Sequence, residues 1–244
     1  MIRNFLINNF PQLGKYKRYL RALKSKISKS KKSYSQHKED IFFLEELKKK
    51  GFNSQNSIYI DIGANHPSDL SNTYLLYRNG FNGILIDANK ELCMLCEKFR
   101  PNDIVLNIGA SDKTSIMDFY ISKTPVLSTF DQHDEYHDRR LYRKYRIPVL
   151  RVDEAVENLI KEKISLLSID VESLNLEVLR GCYGILNNTY ILCVEYDNQS
   201  DKEKYLNCLK DFSFEEIEDN GCNVIYKNKE LVTPDKLNEQ LPLS

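Results

Sequence analysis

The chain has 244 residues, 41% hydrophobic and 29% charged, which suits one sizeable α/β domain with a full core and the balance of a soluble globular protein. No apolar run approaches the ~20 residues that span a bilayer, and the N-terminus lacks the apolar core of about 7–15 residues that marks a secretory signal. The net charge is zero, yet residues 1–38 hold eleven Lys and Arg and no acid, leaving 24 of the 35 basic residues against all 35 acidic ones elsewhere, a net of −11.

Residues 1–33 therefore read as a basic N-terminal segment, helical or partly ordered, ahead of a domain over residues 34–244. Tyr16 to Ile27 has the spacing of an amphipathic helix, with Tyr19, Leu20, Leu23 and Ile27 on one side. Such a helix either lies on an anionic membrane surface or packs on the domain or on a neighbouring subunit of a homo-oligomer. Nucleic acid is not expected as a partner, because the acidic remainder repels phosphates. The Lys/Ser-rich stretch Lys24 to Ser33 is the candidate linker.

From Tyr34 onward strands and helices alternate. Glu39–Lys49 is expected to be helical and to end at Gly51, Ile58–Ile62 is the first strand, and Asn72–Arg78 lies in the helix after it. Ile84–Asp87 is the second strand, Lys90–Phe99 a helix stopped by Pro101, and Ile104–Asn107 the third strand. Ile116–Ile121 reads as a short strand, Lys123 to Tyr145 as a long polar segment, and Val149–Val152 as another strand. Asp153 is expected to cap a helix through Ile160. Then come strand Ile164–Asp170, helix Leu174–Leu179 ended by Gly181, strand Tyr190–Glu195 and helix Lys202–Lys210. Phe212–Glu218 and Cys222–Lys227 flank the turn Asp219-Asn-Gly221.

Repeated βα units with continuous apolar strands predict an α/β fold: a doubly wound, mostly parallel Rossmann-like sheet with a C-terminal antiparallel hairpin. That ending belongs to class I methyltransferases; dehydrogenase sheets finish parallel. Six cysteines are present, most within apolar runs. Cys93 and Cys96 form one CxxC without a second pair at zinc spacing, so ordinary thiols in a reducing cytoplasm are expected.

The most informative stretch is Ser57-Ile-Tyr-Ile-Asp-Ile-Gly-Ala-Asn65, a strand running into a tight glycine turn, followed by Gly83-Ile-Leu-Ile-Asp87, a second strand ending in an acid. Glycine admits close backbone approach, and the acid accepts hydrogen bonds from ribose hydroxyls. A dehydrogenase calls for GxGxxG; here Ala64, Asn65, His66 and Pro67 follow the one glycine, a poor cradle for a pyrophosphate. S-adenosylmethionine carries no phosphate and fits better. A nicotinamide-dependent oxidoreductase and a non-catalytic membrane-docking protein remain the alternatives.

Four motifs in order resemble the FkbM family of S-adenosylmethionine-dependent methyltransferases, between Tyr34 and Asp197. They are Tyr34-Ser-Gln-His-Lys-Glu-Asp40; Tyr59-Ile-Asp-Ile-Gly-Ala-Asn65; Ser71-Asn-Thr-Tyr74 with Gly80-Phe-Asn-Gly-Ile-Leu-Ile-Asp-Ala-Asn89; and Ser168-Ile-Asp-Val-Glu-Ser173 with Glu177-Val-Leu-Arg-Gly181. Asp87-Ala-Asn89 departs from the family's Glu-Pro-Asn but keeps the carboxylate, and Ser173 stands where the family has glycine.

The resemblance implies an O-methyltransferase acting on a sugar hydroxyl, of a nucleotide-linked sugar or a surface glycan, in the cytoplasm or at the inner membrane face. It implies that Asp61, Gly63 and Asn65 line the methionine end of the cofactor and that Asp87 holds the ribose. Adenine falls to Asn107–Asp112, with Ala110 in the lining and Asp112 at the amino group. Gln36, next to Ser35, closes over the cofactor or belongs to a helix cap. Asp61 and Asp112 also have structural readings, as turn-orienting and helix-capping residues.

Activation of a hydroxyl calls for a base or a metal. Asp170 and Glu172 end one strand; Glu195 and Asp197 end the next. Asp170, Glu172 and Glu195 are the candidate catalytic acids. Asp170, Glu195 and Asp197 supply oxygen ligands that suit Mg²⁺ or Mn²⁺. His133 and His137 sit in the long polar segment, which reads as a substrate lid, with His133 a further candidate base; their i, i+4 spacing beside Asp131, Asp134 and Asp138 suits either a metal ion on a helix face or, more often, a solvated surface. Arg139, Arg140, Arg143 and Arg146 there suit a phosphorylated acceptor.

Overall fold

The computed structural model describes residues 11–28, 33–122, 128–130, 141–171, 173–231 and 233–234. The sheet at its centre follows from burial on two sides. In β1 (Ser57–Ile62) all six residues are buried. Ile58, Ile60 and Ile62 pack into one apolar layer and Tyr59 into the other, as the two-residue side-chain period requires. Beside β1 run β2 (Gly83–Ile86), β3 (Ile104–Leu106), β7 (Lys163–Ile169) and β8 (Thr189–Glu195). β9 (Phe214–Asp219) and β10 (Asn223–Asn228) complete the sheet.

The strand order is β3-β2-β1-β7-β8-β10-β9. β3 to β8 pair in parallel, whereas β10 pairs antiparallel with both β8 and β9. The doubly wound sheet with an antiparallel ending is the architecture the sequence implied. The order steps outward from β1 in both directions, which opens a crevice at the carboxyl ends of β1 and β7.

Helices cover both faces. On one lie α2 (Glu39–Lys49), α3 (Tyr74–Arg78) and α4 (Lys90–Phe99), contributing Phe43, Leu47, Leu76 and Cys96. On the other lie α5 (Val152–Val156), α6 (Asn175–Gly181), α7 (Tyr183–Leu186) and α8 (Gln199–Leu209), contributing Val156, Val178, Leu179, Leu186, Tyr205 and Leu209. Cys93, Cys96, Cys182 and Cys193 are buried in these layers, and all six cysteines are free thiols. Burial drives the Cys93 and Cys96 thiols far up from their ordinary pKa, and among the described residues no third His, Cys, Asp or Glu joins them as a metal ligand.

A second sheet of three strands was not legible in the sequence. β4 (Gly109–Ser111), β5 (Ser115–Ser122) and β6 (Leu141–Arg151) have the order β4-β6-β5. The expected strand Val149–Val152 is the end of β6, which starts inside the segment read as polar loop. Charged Arg143, Lys144 and Arg146 hid the alternation that turns Ile147 and Val149 inward. β4 is too short to show a period.

The helix expected from Asp153 to Ile160 shortens to α5, and Asp153 is not its cap. Its carboxylate is occupied by Arg151 at 2.7 Å and the Gly184 N–H at 3.0 Å. Helix α8 starts three residues earlier than expected because Asn198 caps it, accepting from the Asp201 N–H.

Helix α1 (Pro11–Ile27) is seated on the domain. Ala22 is buried, and Tyr19 meets Phe99 of α4 edge-on at 5.3 Å. Tyr19 thus belongs to the inner face, not to the stripe with Leu20 and Ile27. The expected linker from Lys24 is helical as far as Ile27, and residues 29–32 lie outside the described residues.

Candidate active site

The turn after β1 is fastened to the end of β2. The Gly63 and Ala64 N–H groups both donate to the Ile86 carbonyl, at 2.9 and 3.2 Å. Gly63 has φ +81°, and a Cβ there would lie 1.7 Å from the Asp170 carbonyl oxygen. Glycine is required both for the left-handed backbone and for the contact between the β1 and β7 ends. Asn65 follows at φ 51°, a conformation that Asn tolerates better than most residues. Its N–H donates to Asp87 Oδ2 at 2.8 Å, while Asn89 N–H donates to Asp87 Oδ1 at 2.6 Å. Burial pushes the Asp87 pKa up to about 6 against these two hydrogen bonds, and the nearby Asp61 adds to the rise.

The Asp87–Asn89 backbone is braced from two sides. Asn107 Nδ2 donates to the carbonyls of Asp87 and Ala88 at 3.0 and 3.1 Å, and the Tyr145 hydroxyl of β6 donates to the Ala88 carbonyl. Asn89 also caps α4 through the Glu91 N–H.

A cavity of about 230 Å³ opens at the carboxyl ends of β1, β2, β7 and β8. One end is apolar, with Leu92, Ile108, Ala110, Phe119 and Phe130; the two rings lie 4.9 Å apart. The other end is polar, with Gln36, Asn72, Asp170, Glu195 and Asn223. Gly63, Asn65 and Asp87 line the wall between. Three acids and no Lys, Arg or His stand among the described lining residues.

The acids are aligned by their neighbours. Asp170 N–H donates to the Ile62 carbonyl at 3.0 Å. Asn175 ties the two strand ends together, accepting from the Val171 N–H at 2.9 Å and donating to the Glu195 carbonyl at 3.2 Å. Tyr205 donates to the same carbonyl at 2.9 Å. Gln36 enters from the segment before α2, which Asp40 organises by accepting from Tyr34 N–H, Ser33 and Ser35. Glu39 joins this segment to the β9–β10 turn through Asn220 and Asn223, at 2.8 and 2.9 Å.

The structure thus gathers Gln36, Gly63, Asn65, Asp87, Ala110, Asp170 and Glu195 of the expected site around one cavity. Asp61 is elsewhere. It shares the face of β1 that carries Tyr59, is buried, and accepts a hydrogen bond from Thr73. Thr73 also accepts from Arg100, which is fully buried, pairs with Asp103 at 2.7 Å and donates to the Tyr59 hydroxyl. This network lies under the turn, and the sequence reading missed Arg100 altogether.

Asp112 stands past β4, where its carbonyl accepts from Arg151, and it does not line the cavity; nor does Asp197. Among the described residues no three His, Cys, Asp or Glu side chains converge as metal ligands, so Asp170, Glu195 and Asp197 do not form the expected Mg²⁺ or Mn²⁺ site. Glu172, His133, His137, Arg139 and Arg140 lie outside the described residues. Arg143 and Arg146 pair with Glu91 and Asp118 rather than line the cavity. Phe119, Phe130 and Asn175 were not foreseen, because they reach the site through tertiary contacts with no local signature.

No curated protein matches the chain. Similar solved structures include a TehB-like SAM-dependent methyltransferase from Corynebacterium glutamicum, 10% identical over 88% of this chain and 96% of that one, with a TM-score of 0.45. An rRNA methylase from Streptococcus thermophilus is 12% identical over 77% and 92% of the two chains, with a TM-score of 0.44. N-methyltransferase NodS from Bradyrhizobium japonicum, in complex with S-adenosyl-L-homocysteine, is 8% identical over 87% and 99%, with a TM-score of 0.40. The family profile described as "Methyltransferase FkbM domain" matches residues 61–223, from the acid two residues before the glycine turn to the start of β10. With well over half of its length inside that match, the chain belongs to the FkbM methyltransferase family.

Proposed function

We propose that the protein is an S-adenosylmethionine-dependent O-methyltransferase whose acceptor is a sugar hydroxyl. The observation that carries this reading is the charge of the cavity: Asp87, Asp170 and Glu195 line it, and no cation does among the described residues. That field suits a sulfonium cation and opposes a dinucleotide pyrophosphate. The residues present fit the cofactor. Asp87, held by two backbone amides, offers its remaining lone pairs to ribose hydroxyls; the Gly63 backbone in the wall faces the methionine part; Phe119, Phe130 and Ala110 form a slot for adenine.

Bound there, the cofactor supplies an electrophilic methyl group. The protein aligns the acceptor oxygen with that group and excludes water, an effect that removes roughly 7–11 kcal/mol of barrier in well-oriented reactions. Asp170 or Glu195 would take the acceptor hydroxyl's proton while the methyl–oxygen bond forms and the methyl–sulfur bond breaks, with S-adenosylhomocysteine as the leaving group. Asn175 holds the backbones of both strand ends and so sets the distance between the two acids. The absence of lining cations among the described residues favours an uncharged glycan hydroxyl; Arg139 and Arg140 are the residues that would serve a nucleotide-linked sugar.

The test is transfer of labelled methyl from S-adenosylmethionine to a panel of glycans and nucleotide-sugars, with and without chelator. Label is expected on a sugar oxygen and unaffected by chelator. Glu195→Gln or Asp170→Asn should lower kcat by about 10²–10⁴ with little change in KM for the cofactor. Transfer only to amines or carboxylates would refute the acceptor assignment.

A further inference from the structure

Helix α1 presents two unlike faces. Its inner face is fixed to the domain at several points. His66 accepts the Ser68 and Asp69 N–H groups at Nδ1, so its Nε2–H donates to the Arg18 carbonyl at 3.0 Å. Lys15 pairs with Glu91 at 2.8 Å and Arg21 with Asp69 at 2.9 Å. Arg78 donates to the Ser25 carbonyl at 2.8 Å.

Facing away from Ala22 runs a stripe at i, i+4, i+7 and i+11: Tyr16, Leu20, Leu23 and Ile27. Tyr16, Leu20 and Ile27 are 59%, 42% and 70% exposed. Lys17 and Lys24 flank the stripe on the side that adjoins it by helical spacing. No helix among the described residues is long and apolar enough to cross a membrane.

We infer that the outer face of α1 docks on an anionic lipid bilayer, with Tyr16, Leu20, Leu23 and Ile27 entering the headgroup boundary and the flanking cations meeting lipid phosphates. Charge decides the occupant. Residues 1–38 carry eleven cations and no acid, while the remainder has a net charge of −11. An anionic surface therefore attracts the chain at this segment and repels it elsewhere, which fixes which side approaches. A second copy of the chain would bring the same cations face to face across a two-fold contact.

Docking also has a route to the site. The loop that receives α1 at His66 and Asp69 continues to Leu70, which lines the cavity and is 57% exposed. The helix that rests on the bilayer thus rests on the cavity rim as well, an arrangement suited to an acceptor carried on lipid. The docking itself stands apart from the methyl-transfer reading.

The test is co-sedimentation of the full chain with phosphatidylcholine–phosphatidylglycerol vesicles and with phosphatidylcholine alone. The expected result is strong binding to the first, weak binding to the second, and release by high salt. Leu20→Glu with Ile27→Glu should lower the partition coefficient at least about tenfold. Lys17→Glu with Lys24→Glu should lower it similarly and flatten the salt dependence. S-adenosylhomocysteine binding, unchanged in both variants, shows that the fold survives, and it reports on the cofactor site independently of the docking. Equal binding to both vesicle types overturns the inference. So does vesicle binding unaltered by the double Glu variants, or a dimer lost in Leu20→Glu/Ile27→Glu with no vesicle binding by the parent chain.

Discussion

Both oxygens of Asp87 already accept a backbone N–H, and burial lifts its pKa from 3.8 to about 6. An acid whose pKa rises on folding costs stability as pH climbs through that window, here from about 4 to 6, because the folded chain holds the proton more tightly. Ribose hydroxyls need the ionised form. Cofactor affinity should therefore be full above about pH 7 and fall roughly tenfold per unit below pH 6. Titration of S-adenosylhomocysteine across pH 5 to 8 checks this; a flat profile in the parent chain would remove Asp87 from the ribose. Ser173 offers a second residue-scale test. It has φ 66°, left-handed backbone where the family pattern places glycine. Ser173→Gly should raise stability by roughly 0.5–1 kcal/mol without loss of activity, read as a higher Tm. Gly63, Asn65 and Asp87 were legible in the sequence because turn chemistry is local. Asp61 was misplaced because strand alternation, not motif membership, decides which way its carboxylate points.

At the scale of elements, the buried network between β1, β2 and α4 holds the turn from below. Arg100, Asp103, Tyr59, Thr73 and Asp61 satisfy one another with almost no solvent. Arg100→Met would leave Asp103 buried without its cation and should cost about 3–5 kcal/mol, measured by denaturant unfolding. Gly63→Ala acts on the contact between the β1 and β7 ends. It combines a forbidden close approach with a left-handed backbone and should cost roughly 3 kcal/mol, together with most cofactor affinity. The central strands were legible because their apolar runs are continuous. β4 and most of β6 were not, since three residues carry no period and the charges of β6 imitate a loop. The apolar end of the cavity was hidden for the same reason: Phe119 comes from β5, and Phe130 pairs with it only in three dimensions.

For the whole molecule, one crevice at the strand ends collects residues from Gln36 to Asn223, and the basic helix α1 is clasped to its rim. The order of βα units and the closing hairpin made the fold legible, and the four motifs between Tyr34 and Asp197 the family resemblance, while the assembly of the rim depended on long-range contacts such as His66 with Arg18. The proposed chemistry requires this crevice to hold an adenosyl sulfonium through Asp87. Calorimetric titration with S-adenosylhomocysteine and with NAD, for the parent chain and Asp87→Asn at pH 7.5, measures that directly. The expected result is S-adenosylhomocysteine binding by the parent chain, weakened at least about tenfold in the folded variant, and no binding of NAD. Undiminished binding by the variant, or heat from NAD alone, would contradict it.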